Sequence, residues 1–134
     1  MERLSTEYVN RVAQIIWEQL KCTVGADVLG SWGISQMEGT QIVGKTAMAA
    51  LELTVNGYSY QGNVCIALDE GSDTYRIYTR GKDGLNEYRH DVYSDEMGGI
   101  LDTLIETGDM SPEEYQAKIV ENYGNIMAVY LLPG

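Results

Sequence analysis

Residues 47–69 read AMAALELTVNGYSYQGNVCIALD, a stretch that predicts an antiparallel β-hairpin and thereby decides the fold class. The dipeptide Asn56-Gly57 favours a two-residue type I′ turn, because both turn positions need a positive φ. Such a turn places Val55 opposite Tyr58. In that register one face of the pair is apolar and the other is mainly polar, as a half-buried sheet requires. The predicted apolar face consists of Ala47, Ala49, Leu51, Leu53, Val55, Tyr58, Tyr60, Gly62, Val64 and Ile66.

Further strands are predicted on both sides of this hairpin. Residues 74–80 and 85–92 have strand-like composition and flank the turn-rich segment 81–84. Residues 28–34 are interpreted as another strand, interrupted by two glycines. Together these segments predict a four- or five-stranded antiparallel meander.

The N-terminal region has the apolar spacing of an amphipathic helix over residues 5–24. Ser5 or Thr6 is the predicted N-cap, because a hydroxyl can accept from the first free N–H groups. Gly25 is predicted to end the helix in the left-handed conformation.

Two more helices are predicted after the strands. The second spans about residues 94–107, with Ser94 as its cap and Gly108 at its end. The third begins at residues 111–114, where the order Ser-Pro-Glu-Glu forms a capping box with proline at the first helical position. The apolar segment 126–132 fits either a strand or a continuation of that helix.

The elements combine into an α+β fold, with helices packed on one face of the antiparallel sheet. A chain of 134 residues has room for about one domain. We therefore expect one domain over residues 1–134, with a core in 5–108 and a C-terminal helix and apolar segment in 111–132.

The net charge limits the possible partners. The chain has 9 Lys and Arg against 20 Asp and Glu, a formal charge of −11. Direct binding to nucleic acid or to an anionic membrane needs a basic surface, so we expect neither. Two cysteines are too few for a disulfide scaffold or a cysteine-based zinc site, and no segment resembles a signal peptide or membrane span. We expect a cytoplasmic protein that holds no metal and no cofactor.

Residues 39–46 match the phosphate-loop pattern GxxxxGK[ST], and residues 64–70 imitate the apolar run and acid of nucleoside triphosphatases. A functional phosphate loop joins a strand to a helix, whose N-terminus faces the phosphates. Here the motif leads into the predicted hairpin, and both segments fall on paired antiparallel strands. Nucleotide hydrolysis is therefore not expected.

Two other groups of residues carry possible chemistry. Cys65 and His90 could act as nucleophile and base if the fold brought them together. The alternative is that both lie on strands for packing or by drift, since Cys commonly acts as a small hydrophobe. Asp69, Glu70 and Asp73 form an acidic loop whose spacing misses the calcium-loop pattern, so a solvated turn is the better interpretation.

The candidate binding residues are Trp32 and the acids of the second helix. Trp32 lies between flexible glycines, where an aromatic ring can serve binding. The apolar stripe of the helix leaves Asp95, Asp102 and Glu106 facing outward, and Asp109 follows. Residues 69–110 carry eleven acids against four bases, so a negative patch could form there. The alternative is an ordinary solvated face, which pattern alone does not distinguish.

Four short segments resemble a group of small proteins of gut bacteria, which are often associated with phages or mobile elements. The segments are LGSWG at 29–33, LTVNGY at 53–58, ALDEG at 67–71 and DVYSDE at 91–96. The resemblance covers about residues 5–108. It implies a helix, an antiparallel sheet and a second helix, and it implies no activity and no functional residues.

The leading hypothesis is a small non-enzymatic accessory protein that binds another macromolecule, such as a basic or DNA-binding protein. The alternatives are an acidic DNA mimic that inhibits a DNA-binding protein, and a small enzyme that uses Cys65 or His90. A mimic requires the carboxylates of the second helix to lie at phosphate-like separations. An enzyme requires a pocket that joins Cys65 or His90 to convergent carboxylates.

Overall fold

A computed structural model describes residues 3–44, 46–108, 110–111, 113–118 and 120. The five strands form a single antiparallel sheet in the order β1-β2-β3-β4-β5, which confirms the predicted α+β meander. The elements follow along the chain as α1 (Thr6–Thr23), α2 (Ala26–Ser31), β1 (Gln36–Val43), β2 (Ala47–Asn56), β3 (Gln61–Asp69), β4 (Thr74–Gly81), β5 (Gly84–Val92), α3 (Met97–Asp102) and a π-helical turn (Thr103–Thr107).

The β2–β3 hairpin has the predicted faces but a different turn. Asn56 pairs with Gln61, so four residues connect the strands, and the predicted pairing of Val55 with Tyr58 is wrong. Gly57 also lacks the positive φ of a type I′ turn. The register differs from the predicted one by an even number of residues, so each side chain keeps its face. The wider turn exists because the N–H groups of Ser59 and Tyr60 donate to a carbonyl of the π-helical turn.

The segment before β1 is helical, and the strand predicted over residues 28–34 is wrong. Gly25 has φ −71° and serves as the N-cap of α2, so its predicted left-handed conformation is wrong as well. Asp27 in the first turn of α2 favours the helix through its dipole. The fifth strand of the meander is instead β1.

The phosphate-loop motif lies on β1 and on its connection to β2. Gly39 of β1 pairs with Leu51 of β2, and β2 begins at Ala47. The motif therefore joins a strand to a strand and lacks the helix that would face a phosphate. Lys45 lies outside the described residues.

Helix α1 confirms the predicted N-terminal helix and its cap. The Ser5 hydroxyl accepts from the N–H of Tyr8 at 3.1 Å. The buried side chains of α1 pack against β1 and β2 and contribute to the main core on the helix side of the sheet. They are Val9, Val12, Ala13, Ile16 and Leu20.

The second predicted helix is shorter and changes type. Helix α3 begins at Met97, and Ser94 lies in the turn before it and is not the cap. After Asp102 the chain forms the π-helical turn, which ends at Gly108 with φ +61°.

Within the described part of the chain, no helix combines the length and the apolar character needed to cross a membrane.

The start of the third helix is present. The Ser111 hydroxyl accepts from the N–H of Glu114 at 3.1 Å, as a capping box requires, and residues 113–118 and 120 are helical. The segment 126–132 lies outside the described residues.

The sheet face opposite the helices carries a second, smaller apolar cluster. Small residues form its floor, which neighbouring side chains cover. Tyr78 and Leu85 pack against it. The buried members are Ile42, Met48, Ala50, Cys65 and Ala67.

Candidate functional site

The predicted site residue Trp32 lies in the main core. Its ring is fully buried, and its Nε1 donates to Oδ1 of Asp102 at 2.9 Å. This bond joins the end of α2 to α3 across 70 positions of sequence. The ring is therefore not exposed to a partner, and a buried indole N–H has the acceptor that it needs.

The predicted site residue Glu106 is 4% exposed, so the expectation that it faces outward is wrong. Its Oε1 accepts from the N–H of Tyr58 at 2.8 Å, and its main-chain oxygen accepts from the Ser59 hydroxyl at 2.8 Å. The expectation assumed α-helical spacing, whereas the π-helical turn follows i→i+5 bonding and changes which side chains face the core. Glu106 anchors the β2–β3 turn.

The remaining predicted residues do not join a single patch with Glu106. Asp102 is half-buried against Trp32, and Asp95 is exposed in the turn before α3. Asp109 lies outside the described residues. The described carboxylates of the second helix thus have three different environments, and this arrangement gives no support to a phosphate-like row.

The candidate site that does form is a cleft on the helix side of the sheet. It lies between the C-terminal half of α1, the β3–β4 turn and the turn that leads into α3. Two adjoining depressions of about 640 and 250 Å³ share Gln19, Ser94 and Asp95. We call this surface the acidic cleft; its remaining lining residues are Glu18, Cys22, Thr23, Leu68, Asp73, Tyr75, Tyr93 and Glu96.

The floor of the acidic cleft is fixed by a hydrogen bond between α1 and β4. The Tyr75 hydroxyl donates to Oε1 of Gln19 at 2.7 Å. Burial raises the pKa of Tyr75, and the neighbouring carboxylate of Asp73 raises it further against the opposing hydrogen bond to Gln19. The phenol therefore stays protonated and remains a donor at neutral pH.

The rim of the cleft carries its charge. Asp73 has φ +56° at the end of the β3–β4 turn, a conformation that Asp tolerates better than most residues. On the other side, the Tyr93 N–H donates to Oε1 of Glu96 at 2.9 Å, which holds that carboxylate against the turn. The Tyr93 ring is 60% exposed. Among the described lining residues there is no Lys, Arg or His.

Of the predicted site residues that the structure describes, Asp95 alone lines the acidic cleft. The sequence interpretation treated residues 94–96 as the first turn of a helix, and it treated Asp73 as part of a solvated loop. Tyr75 and Gln19 carried no signal of their own, because they meet only when β4 packs against α1. The excess of acid in residues 69–110 was the available signal.

Other acids of that region are already neutralised on the opposite face of the sheet. Arg76 binds Asp69 at 2.9 Å and Glu87 at 2.7 Å. These hydrogen bonds raise the pKa of the guanidinium and lower the pKa of Asp69. The acidic cleft therefore holds a distinct part of the excess charge.

The possible Cys65–His90 pair finds no support in the geometry. Cys65 is fully buried on β3, and burial, followed by the nearby carboxylate of Glu52, raises the pKa of its thiol to about 12. A nucleophilic cysteine needs the thiolate, which this environment disfavours. His90 is exposed on β5, where its Nδ1 lies 3.0 Å from Oδ2 of Asp91.

Comparisons with family models, with curated proteins and with solved structures found no match to this chain.

Proposed function

We propose that the protein is a small accessory protein that binds a basic segment of another macromolecule in the acidic cleft. The observation that carries this proposal is a pair of adjoining depressions lined by carboxylates and two tyrosines, with no basic residue among their described lining residues. Both cysteines are free thiols, which is consistent with the cytoplasmic location that we propose with it.

The chemistry of the cleft suits lysine and arginine side chains. Asp73, Asp95 and Glu96 supply acceptors on two sides of the depression. A cation placed between them gains from both sides, whereas an anion is repelled. Tyr93, whose ring is 60% exposed, adds a ring face, over which a guanidinium or ammonium group is attracted by about 0.5–1 kcal/mol at an exposed site.

Not every carboxylate at the cleft is free for a partner. Glu18 lies 2.9 Å from the ammonium of Lys21, one turn along α1. Both side chains are about half exposed, and such a pair is worth little and exchanges readily. The three carboxylates of the turns therefore carry most of the attraction.

A direct test replaces these three acids with their amides in D73N/D95N/E96Q. Each change preserves size, and Asn accepts the positive φ of position 73. The probe is a fluorescein-labelled octapeptide of alternating Lys and Arg, titrated at low ionic strength by fluorescence anisotropy. Loss of three favourable charge contacts at about 0.5 kcal/mol each predicts a Kd roughly tenfold higher.

The matched control is D27N/D83N/E113Q, which removes the same charge at exposed positions outside the cleft. Net charge alone would weaken both variants equally. We expect the control Kd to stay within about twofold of the wild type. Equal weakening of the two variants would show non-specific attraction and refute the proposed site.

A further inference from the structure

The two edges of the sheet are built differently. Strand β5 pairs with β4 through two register shifts. Its exposed residues include the charged side chains of Glu87, Arg89 and Asp91. Bulges and charges of this kind protect an edge from pairing with another chain. Strand β1 pairs with β2 in an unbroken register over all eight residues from Gln36 to Val43.

Strand β1 carries little such protection. It has one charged residue, Glu38, and contains no Lys, Arg or Pro. Met37 and Val43 are 50% and 52% exposed. No strand within the described ranges pairs with its outer side. A regular edge of this kind is a template for an added strand.

A groove of about 530 Å³ runs between α1 and β1 on the helix side. Its apolar lining residues are Ala13, Trp17, Met37 and Leu51, and Asn10, Gln14 and Glu38 line it as well. Gly39 lets the helix approach closely, since a Cβ there would lie 2.9 Å from Oδ1 of Asn10. Side chains of an added strand that point toward α1 would enter this groove.

A polar cleft of about 350 Å³ lies beside the same strand and also involves the opposite sheet face. Its lining consists of Gln36, Met37, Glu38, Glu52, Thr54 and Asn63. Glu52 is 6% exposed and accepts from Arg80 and Asn63, which fix its position. Because Arg80 already neutralises Glu52, Glu38 is the carboxylate of the described lining that favours a cationic side chain, and no basic residue lies beside it in that lining.

We propose that β1 receives an extended segment of another protein as a sixth strand, in which apolar residues alternate with Lys or Arg. Successive side chains of a strand point to opposite faces, so one set enters the groove while the other meets Glu38 and the polar cleft. Main-chain hydrogen bonds supply affinity, and the two lined depressions supply the sequence preference.

Charge also selects against a second copy of this chain as the added strand. A β1–β1 pairing brings together two strands whose only charge is Glu38, on protomers that each carry −11. Like charges on paired strands destabilise the pairing. The β1 surface shares no lining residue with the acidic cleft, so the two proposals stand or fall separately.

The test compares two peptides of identical composition, VKVKVKVK and the scrambled VVKKKVVK. Titration of the ¹⁵N-labelled protein should give an alternating-peptide Kd at least tenfold lower than that of the scrambled peptide. Amide exchange should slow at β1. Equal affinity of the two peptides, or protection of β5 instead, would refute the added strand.

Variants make the test specific to the edge. Met37→Lys and Glu38→Lys change exposed side chains and should each weaken binding of the alternating peptide by about tenfold. Tyr88→Lys on β5 and the acidic-cleft variant D73N/D95N/E96Q should leave it within twofold. Sedimentation of the free protein should show a monomer, whereas a dimer that Met37→Lys dissociates would assign the edge to a second copy and overturn the proposal.

Discussion

Removal of Arg80 should destabilise the fold, because it leaves the buried carboxylate of Glu52 without its charged partner on the sheet face opposite the helices. Arg80 donates Nε to Oε2 and Nη2 to Oε1 of Glu52, both at 3.0 Å, and Asn63 donates to Oε2 at 2.6 Å. Burial opposes ionisation of Glu52, but the hydrogen bonds from Arg80 and Asn63, with a smaller one from Cys65, outweigh it and lower its pKa. Arg80→Met keeps an unbranched side chain at this position and removes these two bonds.

We expect Arg80→Met to lower the free energy of unfolding by about 2 kcal/mol at pH 7. Breaking a buried ion pair by removing one partner costs about 3–5 kcal/mol, because a charge is left without compensation. Arg80 is itself 40% exposed, so water replaces part of the lost interaction, and Asn63 still donates. The Lys82→Met control removes an exposed charge from the β4–β5 turn and should cost less than about 0.5 kcal/mol.

The pH dependence identifies Glu52 as the cause. In the wild type the lowered pKa gives stability above the ordinary value near 4.5, and this stability is lost as pH falls through the folded-state pKa. In Arg80→Met the buried carboxylate is destabilising when ionised, so its protonation relieves the penalty. Urea unfolding at pH 7 and at about pH 4 should therefore show a smaller difference between variant and wild type in acid. A penalty below about 0.5 kcal/mol at pH 7, or one that grows in acid, would refute this reasoning.

Two further predictions test the turn and the core. Gly57→Ala should destabilise the fold by more than about 2 kcal/mol in thermal unfolding, because the new Cβ would clash with the main-chain oxygen of Ile105. Gly30→Ala, which meets nothing within 4 Å, should be neutral or stabilising, and equal effects of the two changes would contradict the packing described. Exposed Cys22 should react with a thiol reagent in the native state, whereas Cys65, buried and with its pKa raised to about 12, should react only after unfolding. Two reactive thiols in the native protein would contradict this burial.

The central hairpin shows what local pattern can predict. Alternation along β2 and β3 assigns Leu53 and Val64 to the buried face, and they lie there because side-chain period alone decides the face. The turn between them depends on Ile105, whose carbonyl accepts two N–H groups from residues 57–60. That contact spans about a third of the chain, so the Asn56-Gly57 signal could not report it.

The same limit explains the errors around Trp32. Its apolar neighbours pack equally well from a strand or a helix, and Gly25 has a role as an N-cap that composition does not distinguish from a helix end. Trp32 and Asp102 were both predicted to bind a partner, but in the structure they form a hydrogen bond with each other. Burial of Glu106 followed from the π-helical turn, which departs from the spacing used to predict an outward side chain.

The acidic cleft was visible in the sequence only as excess charge. Its members come from α1, from the β3–β4 turn and from residues 93–96, and the packing of Tyr75 against Gln19 brings them together. Sequence could indicate which region carries the acid. It could not separate the carboxylates at the cleft from those that Arg76 neutralises on the other face.

The most direct test of the binding proposal is an amide-resolved titration of the ¹⁵N-labelled protein with the Lys-Arg octapeptide. We predict that chemical-shift changes concentrate at Gln19, Asp73 and residues 93–96, and that they diminish as salt screens the charges. Changes spread evenly over all exposed acids, or absent from these positions at saturating peptide, would contradict the proposal.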